Sequence, residues 1–359
     1  MIRFTKYLRN NLSHASTFIF LAGFIFDALM LPDIEHPFAR YVVFSYLCII
    51  AIAIMFREWL VSRNTASESE QKIYSVVTFC ISYFSGSALS FVFIYAIRSA
   101  QLSVSWPLFL ILLVCIFANE FVSTHDFRFT LDVGILLIAT LFYIVFNVPL
   151  FLKVQNDITF GISIGLTVII FLCYIFILKF SSENAYDNAG RGYALALGIP
   201  MFVAMLYFLN VLPAVPLSLT NAGVYHNMVR NVNGEFVAQK ENDTRRFAKY
   251  LTPIYHLTPY DNAVYFFSAV NAPAELTAPI SYTWEFFDLK NNRWVSYDKP
   301  ITFTLAGGRE DGYRAYSQKE NIIEGLWRVT VKVDNNRIIG RFKFQIVKSS
   351  GVELQEVKL

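Results

Sequence analysis

The first 214 residues consist of long apolar runs separated by short polar segments. A helix needs about 20 mainly apolar residues to cross a hydrocarbon core about 30 Å thick. Seven runs approach or reach that length, so the pattern predicts a polytopic α-helical membrane bundle of about seven spans. The runs cover residues 15–32, 38–56, 73–97, 104–123, 130–152, 158–179 and 192–213.

The first run is the weakest of the seven because Asp27 interrupts it. A cleavable signal peptide is the rival interpretation. Residues 27–32 read Asp-Ala-Leu-Met-Leu-Pro, however, and contain no small-x-small cleavage site. We therefore predict a spanning helix here. If it does not span, six spans remain and the predicted topology changes.

The hydrophobic period changes to two in the C-terminal part of the chain. Apolar and polar residues alternate over 280–287, 326–333 and 341–346, which is typical of half-buried strands. Turn signals such as Asp334–Asn336 separate these segments. The pattern predicts about seven strands between 262 and 348, arranged as an all-β, immunoglobulin-like antiparallel sandwich.

Three segments follow from these patterns: a transmembrane helical domain over 1–214, a linker over 215–221, and a β-sandwich domain over 222–359. Pro213 and Pro216 are expected to end the last helix. We expect an additional strand pair near 223–238 and a short helix around Asp243–Tyr250.

Charge and cysteine content narrow the functional classes. Only 16% of residues are charged, against about 25% in ordinary soluble domains. A net charge of +3 is too small to indicate nucleic-acid binding. All four cysteines lie in apolar runs, so the β domain has no disulfide framework or cysteine metal site. We expect no metal and no cofactor.

The short loops predict the orientation, because cytoplasmic loops are enriched in Lys and Arg. Nine basic residues fall on the side of the N-terminus, including those at 57, 63 and 72 after the second run, and three fall on the opposite side. This bias places the N-terminus in the cytoplasm. With seven spans, the β domain then lies outside the cytoplasm.

One stretch of the β domain resembles a known bacterial module. It carries Tyr-Thr-Trp at 282–284, Arg-Ala-Tyr-Ser at 314–317, Gly-Leu-Trp-Arg-Val-Thr-Val at 325–331 and Ile-Gly-Arg-Phe-Lys-Phe at 339–344. This succession resembles domain of unknown function 2914, which is often found at the C-terminus of bacterial inner-membrane proteins. The resemblance implies a multi-pass inner-membrane protein with a periplasmic domain, and no activity. Tyr282 stands where such modules are expected to have a histidine, which argues against a shared metal or acid–base site.

Ionisable residues near membrane spans are candidate functional groups. Glu120, His125, Asp126, Arg128 and Asp132 cluster around the predicted fourth and fifth spans. A proton or ion relay through Asp132, Glu120 and His125 is one interpretation. The other is that these groups are hydrated at the interface, with Glu120 or Asp126 paired to Arg128.

Asp27 is a separate candidate inside the first run. It is expected to pair with Arg40 or Arg98 and hold helices together. Transport or proton coupling is the alternative.

In the β domain, His256 followed by Asp261 suggests an acid–base pair, with a plain loop histidine as the alternative. Six aromatic residues could stack on the sugar rings of an envelope glycan, although most of them alternate onto the inward face, which favours a core position. They are Tyr282, Trp284, Trp294, Tyr313, Tyr316 and Trp327, and Trp294 is the least obviously core. Outward basic residues could form a face for anionic lipid, or an ordinary solvated surface. The candidate binding surface comprises Arg314, Arg328, Lys332, Arg341, Lys343 and Trp294.

These patterns favour an envelope protein whose periplasmic domain binds a partner, without catalytic activity. Its expected partners are the lipid bilayer and an anionic lipid, an envelope glycan or another membrane protein. The alternative is a membrane enzyme or transporter acting on an envelope lipid or glycan, with its site among the helices.

Overall fold

A computed structural model describes the chain in thirteen segments. They are residues 2–30, 37–63, 67–98, 110, 114, 125–154, 156–209, 217–231, 235–241, 252–272, 277–306, 312–333 and 337–359. The chain forms a helical unit up to residue 212 and a sheet-rich unit after it.

Six helices are described in full in the helical unit. They are α1 (Ile2–Met30), α2 (Pro37–Ser62), α3 (Glu68–Arg98), α4 (His125–Leu152), α5 (Asp157–Leu178) and α6 (Glu183–Phe208). The helices α2 to α6 are long and apolar enough to cross a membrane, whereas the apolar part of α1, Ala15–Met30, is shorter. The predicted span over 104–123 lies outside the described residues, except for Leu110 and Val114, which are helical.

Two helices extend beyond the apolar runs that predict them. The helix α2 continues to Ser62, so Arg57 lies in its last turns and not in the loop to which sequence analysis assigns it. The helix α6 starts at Glu183, because the Ser182 side chain accepts a hydrogen bond from the Ala185 backbone N–H at 2.9 Å. This contact satisfies one of the unpaired donors of the first turn, so a polar segment becomes helical.

Twelve strands follow in the described part of the second unit. They are β1 (Ser218–Tyr225), β2 (Asn227–Arg230), β3 (Phe236–Glu241), β4 (Ile254–Leu257), β5 (Ala263–Asn271), β6 (Thr277–Asp288), β7 (Arg293–Ser296), β8 (Ile301–Ala306), β9 (Tyr313–Glu320), β10 (Gly325–Val333), β11 (Arg337–Lys348) and β12 (Leu354–Lys358). The strand β1 begins inside the segment 215–221 that sequence analysis takes as a linker. The helix expected around Asp243–Tyr250 lies outside the described residues.

The strands form three sheets. Their orders are β1–β5–β9, then β4–β11–β10–β6–β7 with β8 also paired to β6, and β12–β3–β2. The pair β4–β11 is parallel and the other pairs are antiparallel. The expectation of a wholly antiparallel architecture is therefore wrong at β4.

The main core lies against the first two sheets and contains the alternating residues of β6, β10 and β11, including the fully buried Trp327. The strand β5 is buried on both faces: Phe266 enters this core and Phe267 enters a second core with Tyr225 and Phe236. Its nearly continuous apolar sequence fits a strand covered on both sides. The third sheet is thereby held against the outer face of β5.

Candidate functional site

A buried ion pair joins two helices of the helical unit. The Arg57 Nη1 atom on α2 donates to the Asp132 Oδ2 atom on α4 at 2.5 Å, and both side chains are almost completely shielded. Arg57 Nη2 also lies 3.5 Å from Glu58 Oε1. Asp132 is thus buried and paired, so the expectation that it is hydrated at the interface is wrong.

Glu58 connects the same cluster to α6. Its Oε2 atom accepts hydrogen bonds from Ser182 Oγ at 3.2 Å and from Asn184 Nδ2 at 2.9 Å. The carboxylate therefore lies at the N-terminal end of α6, where the helix dipole favours negative charge. This contact ties α2 to α6 as the Arg57–Asp132 pair ties α2 to α4.

Arg128 is also buried, and its Nη2 atom donates to Ser82 Oγ on α3 at 3.1 Å. With Arg128 and Arg57 as cations and Glu58 and Asp132 as anions, the described cluster is electrically balanced. Balance of this kind reduces the large cost of burying charges. Glu120 lies outside the described residues, as do the side chains of His125 and Asp126, so the predicted relay remains a prediction.

Asp27 is 2% exposed in α1. It accepts a hydrogen bond from the Tyr46 hydroxyl on α2 at 3.3 Å. Among the described contacts, this hydroxyl replaces the Arg40 pairing that sequence analysis predicts, and the Arg98 side chain lies outside the described residues. The helix α1 also packs closely on α3, since a Cβ at Gly86 would collide with the Phe20 carbonyl oxygen.

The predicted basic face lies on β10 and β11. Arg328 is directly opposite Lys343 in the register, and Thr330 is opposite Arg341, so these side chains share the face turned away from the core. Lys332, two residues after Thr330, lies on the same face. Four of the five predicted basic residues therefore come together.

Glu285 on β6 changes the charge of this face. It accepts two hydrogen bonds from Arg328, at 2.7 Å each, and one from the Thr330 hydroxyl at 2.5 Å. Burial alone would raise the pKa of Glu285, but these bonds outweigh it and lower that pKa below its usual value. Trp294 lies beneath Arg328, 4.3 Å from ring centroid to guanidinium carbon. The face is therefore partly neutralised.

Arg314 does not belong to the basic face. It lies on β9 in the first sheet and donates to the Leu359 carbonyl oxygen at 3.1 Å. Arg341 is half-buried, and burial together with the nearby Arg328 lowers its pKa. The aromatics Tyr282, Trp284 and Trp327 are core residues and are not available for stacking on a glycan.

A histidine–carboxylate network lies where the third sheet meets the β4–β5 turn. His226 Nδ1 is 2.8 Å from Asp261 Oδ1, and His226 Nε2 is 3.1 Å from Glu241 Oε1. The ring stacks on Tyr255 at a centroid distance of 4.3 Å. Since both ring nitrogens face carboxylate oxygens, the doubly protonated imidazolium satisfies both contacts.

The second histidine shares one of these carboxylates. Glu241 accepts from the His256 backbone N–H at 2.6 Å and contacts His256 Nδ1 at 2.7 Å. Asp261 instead accepts from the Thr258 backbone N–H at 2.7 Å. The predicted pairing of Asp261 with His256 is therefore wrong, because Asp261 orients His226 and Glu241 orients His256.

The network shifts two pKa values in opposite directions. Burial would lower the pKa of His226, but its bonds to Glu241 and Asp261 raise it above 6.5. Burial would raise the pKa of Glu241, but its bonds to His226 and His256 lower it below 4.5. Both shifts favour the charged forms, so this part of the fold is held by ion pairs over the intervening pH range.

His226 and Asp261 lie at the wall of an open cavity of about 520 Å³. Eight of its twelve lining residues have polar side chains, and they come from the β1–β2 connection, β2, β3, the β4–β5 turn, the start of β5, and the segment leading into β12. The lining residues are His226, Asn227, Gln239, Thr258, Tyr260, Asp261, Asn262, Ala263, Tyr265, Gly351, Val352 and Leu354. Sequence analysis missed this cavity because residues far apart in the chain build it.

Two ionisable side chains in the described lining of the cavity, His226 and Asp261, are engaged in internal hydrogen bonds. The His226 ring has both nitrogens engaged and its side chain is 3% exposed. Both Asp261 oxygens accept hydrogen bonds, from His226 and Thr258. A general base must lie within hydrogen-bond reach of the substrate, and in this arrangement both groups instead contact neighbouring side chains and backbone of the protein.

Comparison with known protein families supports the resemblance found in the C-terminal part of the chain. Residues 280–346 match the family model of a protein of unknown function (DUF2914), as the resemblance predicts. No curated protein matches the chain.

Three solved chains match the protein. One is the Pseudomonas fluorescens alkylpurine DNA glycosylase AlkC bound to DNA containing an abasic site analog. It is 10% identical, with 84% of this chain and 97% of that chain covered, and the TM-score is 0.22. So low a TM-score carries no inference about fold or function.

Proposed function

We propose that this chain is a multi-pass protein of the bacterial inner membrane whose C-terminal domain, an immunoglobulin-like sandwich, binds a ligand in the periplasm and performs no catalysis. The polar cavity beside His226 is the observation that carries this proposal. It is open, and its wall carboxylate Asp261 accepts internal hydrogen bonds from His226 and Thr258. A preformed concave site with few convergent polar groups is the usual setting for ligand binding.

The membrane part of the proposal is supported by five long apolar helices. We count seven spans by adding α1 and the run over 104–123. The helix α1 packs closely on α3 at Gly86, and Asp27 on α1 accepts a hydrogen bond from Tyr46 on α2. Both contacts support including α1 in the helical bundle. An odd count with a cytoplasmic N-terminus leaves the C-terminal domain in the periplasm.

Cysteine labelling tests this proposal in cells whose outer membrane has been permeabilised. Tyr260 lies at the cavity and is 88% exposed. We expect Tyr260→Cys to react with a membrane-impermeant maleimide added from outside. Lys72→Cys, at an exposed position near the start of α3, should react only after the inner membrane is lysed. The parent protein measures the background from its own cysteines, and the reverse labelling pattern would overturn the proposal.

A membrane enzyme or transporter is the second candidate function. The buried cluster of Arg57, Glu58, Arg128 and Asp132 favours it, because ionisable residues within spans are commonly functional. Glu58→Gln distinguishes the two candidates. If this variant only loses thermal stability, the buried cluster serves helix packing. If it stays stable but no longer supports the cellular role of the protein, the cluster is a functional site among the helices.

A further inference from the structure

We propose that the cavity beside His226 binds an uncharged saccharide, such as the sugar end of an envelope glycan. This inference rests on the proposed function and names the ligand class of its cavity. The volume of about 520 Å³ falls within the range of about 300–1,000 Å³ that small-molecule sites occupy. The lining chemistry then selects among possible ligands.

One wall of the cavity presents two carboxamides side by side. Asn227 on β2 and Gln239 on β3 are directly opposite in the antiparallel register, so their side chains lie on the same face of the hairpin. The Asn227 Oδ1 atom accepts from the Met228 backbone N–H at 2.8 Å, which orients the amide. A carboxamide both donates and accepts hydrogen bonds, as the hydroxyl groups of a sugar do.

A second part of the lining is the turn between β4 and β5. The Asp261 carboxylate accepts from the Thr258 N–H and hydroxyl, and the Asp261 N–H donates to the Thr258 carbonyl at 3.1 Å. This turn presents Tyr260 and Asn262 as exposed lining residues. A tyrosine offers a rigid apolar ring with a polar tip at little cost in conformational entropy. It suits the C–H face of a pyranose ring.

The charge of the lining argues against an anionic ligand. None of the described lining residues is an Arg or a Lys, and the only two that can carry a charge in the ordinary pH range, His226 and Asp261, are hydrogen-bonded to each other. Phosphate and carboxylate ligands are normally held by available Arg or Lys side chains. The polar side chains on eight of the twelve lining residues likewise disfavour a lipid chain, because sites for apolar ligands are lined predominantly by hydrophobic side chains. A neutral polyhydroxylated ligand fits both conditions.

Saturation-transfer NMR on the full chain in nanodiscs tests this proposal. The probes are the methyl glycosides of glucose, galactose, mannose and N-acetylglucosamine, with methyl glucuronide as the anionic comparison. We expect saturation transfer to at least one neutral glycoside. Tyr260→Ala and Gln239→Ala should each raise its Kd about fivefold or more, because each removes a contact worth about 1 kcal/mol. Unchanged melting temperatures exclude unfolding as the cause.

Two matched variants control for the loss of an exposed side chain. Leu289 is 82% exposed and Gln345 is an exposed glutamine on β11, and neither lines the cavity. Leu289→Ala and Gln345→Ala should leave the Kd unchanged. No transfer to any neutral glycoside, a preference for the glucuronide, or equal Kd values for the wild type and both cavity variants would overturn the saccharide proposal. The labelling of Tyr260→Cys from the periplasm does not depend on these outcomes. The two experiments therefore distinguish an error in the class of ligand from an error in the proposed function.

Discussion

Arg57 and Asp132 lie 75 positions apart in the sequence, yet Arg57 Nη1 donates to Asp132 Oδ2 at 2.5 Å inside the helical unit. Removing one partner leaves a buried charge without its counter-charge. We expect Arg57→Leu to destabilise the folded protein by about 3–5 kcal/mol. Thermal denaturation in detergent measures the effect.

The double variant Arg57→Leu/Asp132→Leu separates the pair from its surroundings. It should recover much of the lost stability, because two apolar side chains replace two buried charges. Lys72→Leu, on an exposed pair with Glu68, should change stability by less than about 1 kcal/mol. Additive losses in the double variant would show that the two residues do not act as a pair.

The contact between α1 and α3 has no room for a side chain at Gly86. A Cβ there would collide with the Phe20 carbonyl oxygen, which is backbone and cannot rotate away. We expect Gly86→Leu to cost at least about 1–3 kcal/mol and to lower the yield of folded protein. Gly161→Leu is the matched control, because nothing lies within 4 Å of a Cβ at that position. Equal melting temperatures would contradict this packing.

The histidine–carboxylate network predicts a pH dependence on both sides of neutrality. The raised pKa of His226 means that its stabilising contribution is complete below 6.5 and is lost as pH rises through the folded-state value. The lowered pKa of Glu241 means that its contribution is present above 4.5 and is lost as pH falls through the folded-state value. Local stability should therefore be greatest between these two limits.

Hydrogen exchange of β3 and β4 measures this dependence locally. As pH rises above 6.5, the protection of these strands in the wild type should fall relative to that in His226→Asn, which lacks the titrating ring. The difference in protection between the two proteins should be largest below pH 6.5 and should shrink as the pH rises through the folded-state pKa of His226. A constant difference from pH 6 to pH 9 would show that protonation of His226 does not hold the network.

The basic face predicts a salt-dependent attraction to anionic membranes. Glu285 offsets Arg328, whereas the exposed Lys343 and the half-buried Lys332 add positive charge to this face, at about 1 kcal/mol each near an anionic surface. In co-sedimentation of the C-terminal domain with anionic vesicles, Lys332→Glu/Lys343→Glu should weaken binding more than tenfold at low salt. Lys358→Glu, on the third sheet, should have a small effect. Equal binding to neutral vesicles would contradict an electrostatic attraction.

Local sequence patterns predict the helices and strands of this protein better than they predict the contacts between its side chains. The strand alternation at 326–333 depends only on neighbouring residues, and β10 is found there with Trp327, Val329 and Val331 buried. The length of the apolar runs likewise predicts α2 to α6. Both patterns depend on which side chains of a segment are apolar, and the sequence of each segment specifies this by itself.

The candidate sites were harder to predict because they join distant residues. Glu285 contacts Arg328, which lies 43 positions later in the sequence. Glu241, at the end of β3, contacts both His226 and His256. The Asp261 prediction fails because proximity in sequence favours His256, whereas the turn directs the carboxylate to His226. Arg57 is missed because a charged residue after an apolar run resembles a loop, although its pairing allows burial.

The strand β12 completes the third sheet by pairing with β3, with Leu354 opposite Glu241 and Lys358 opposite Val237. Pairing of strands so far apart in sequence costs more loop-closure entropy than pairing of a hairpin, so we expect β12 to join β3 late in folding. Leu354, the first residue of β12, and Gly351, three residues before it, also line the cavity. The proposed binding site is therefore incomplete until β12 has joined the third sheet, so ligand affinity would report the pairing of β12 as well as the integrity of the main core.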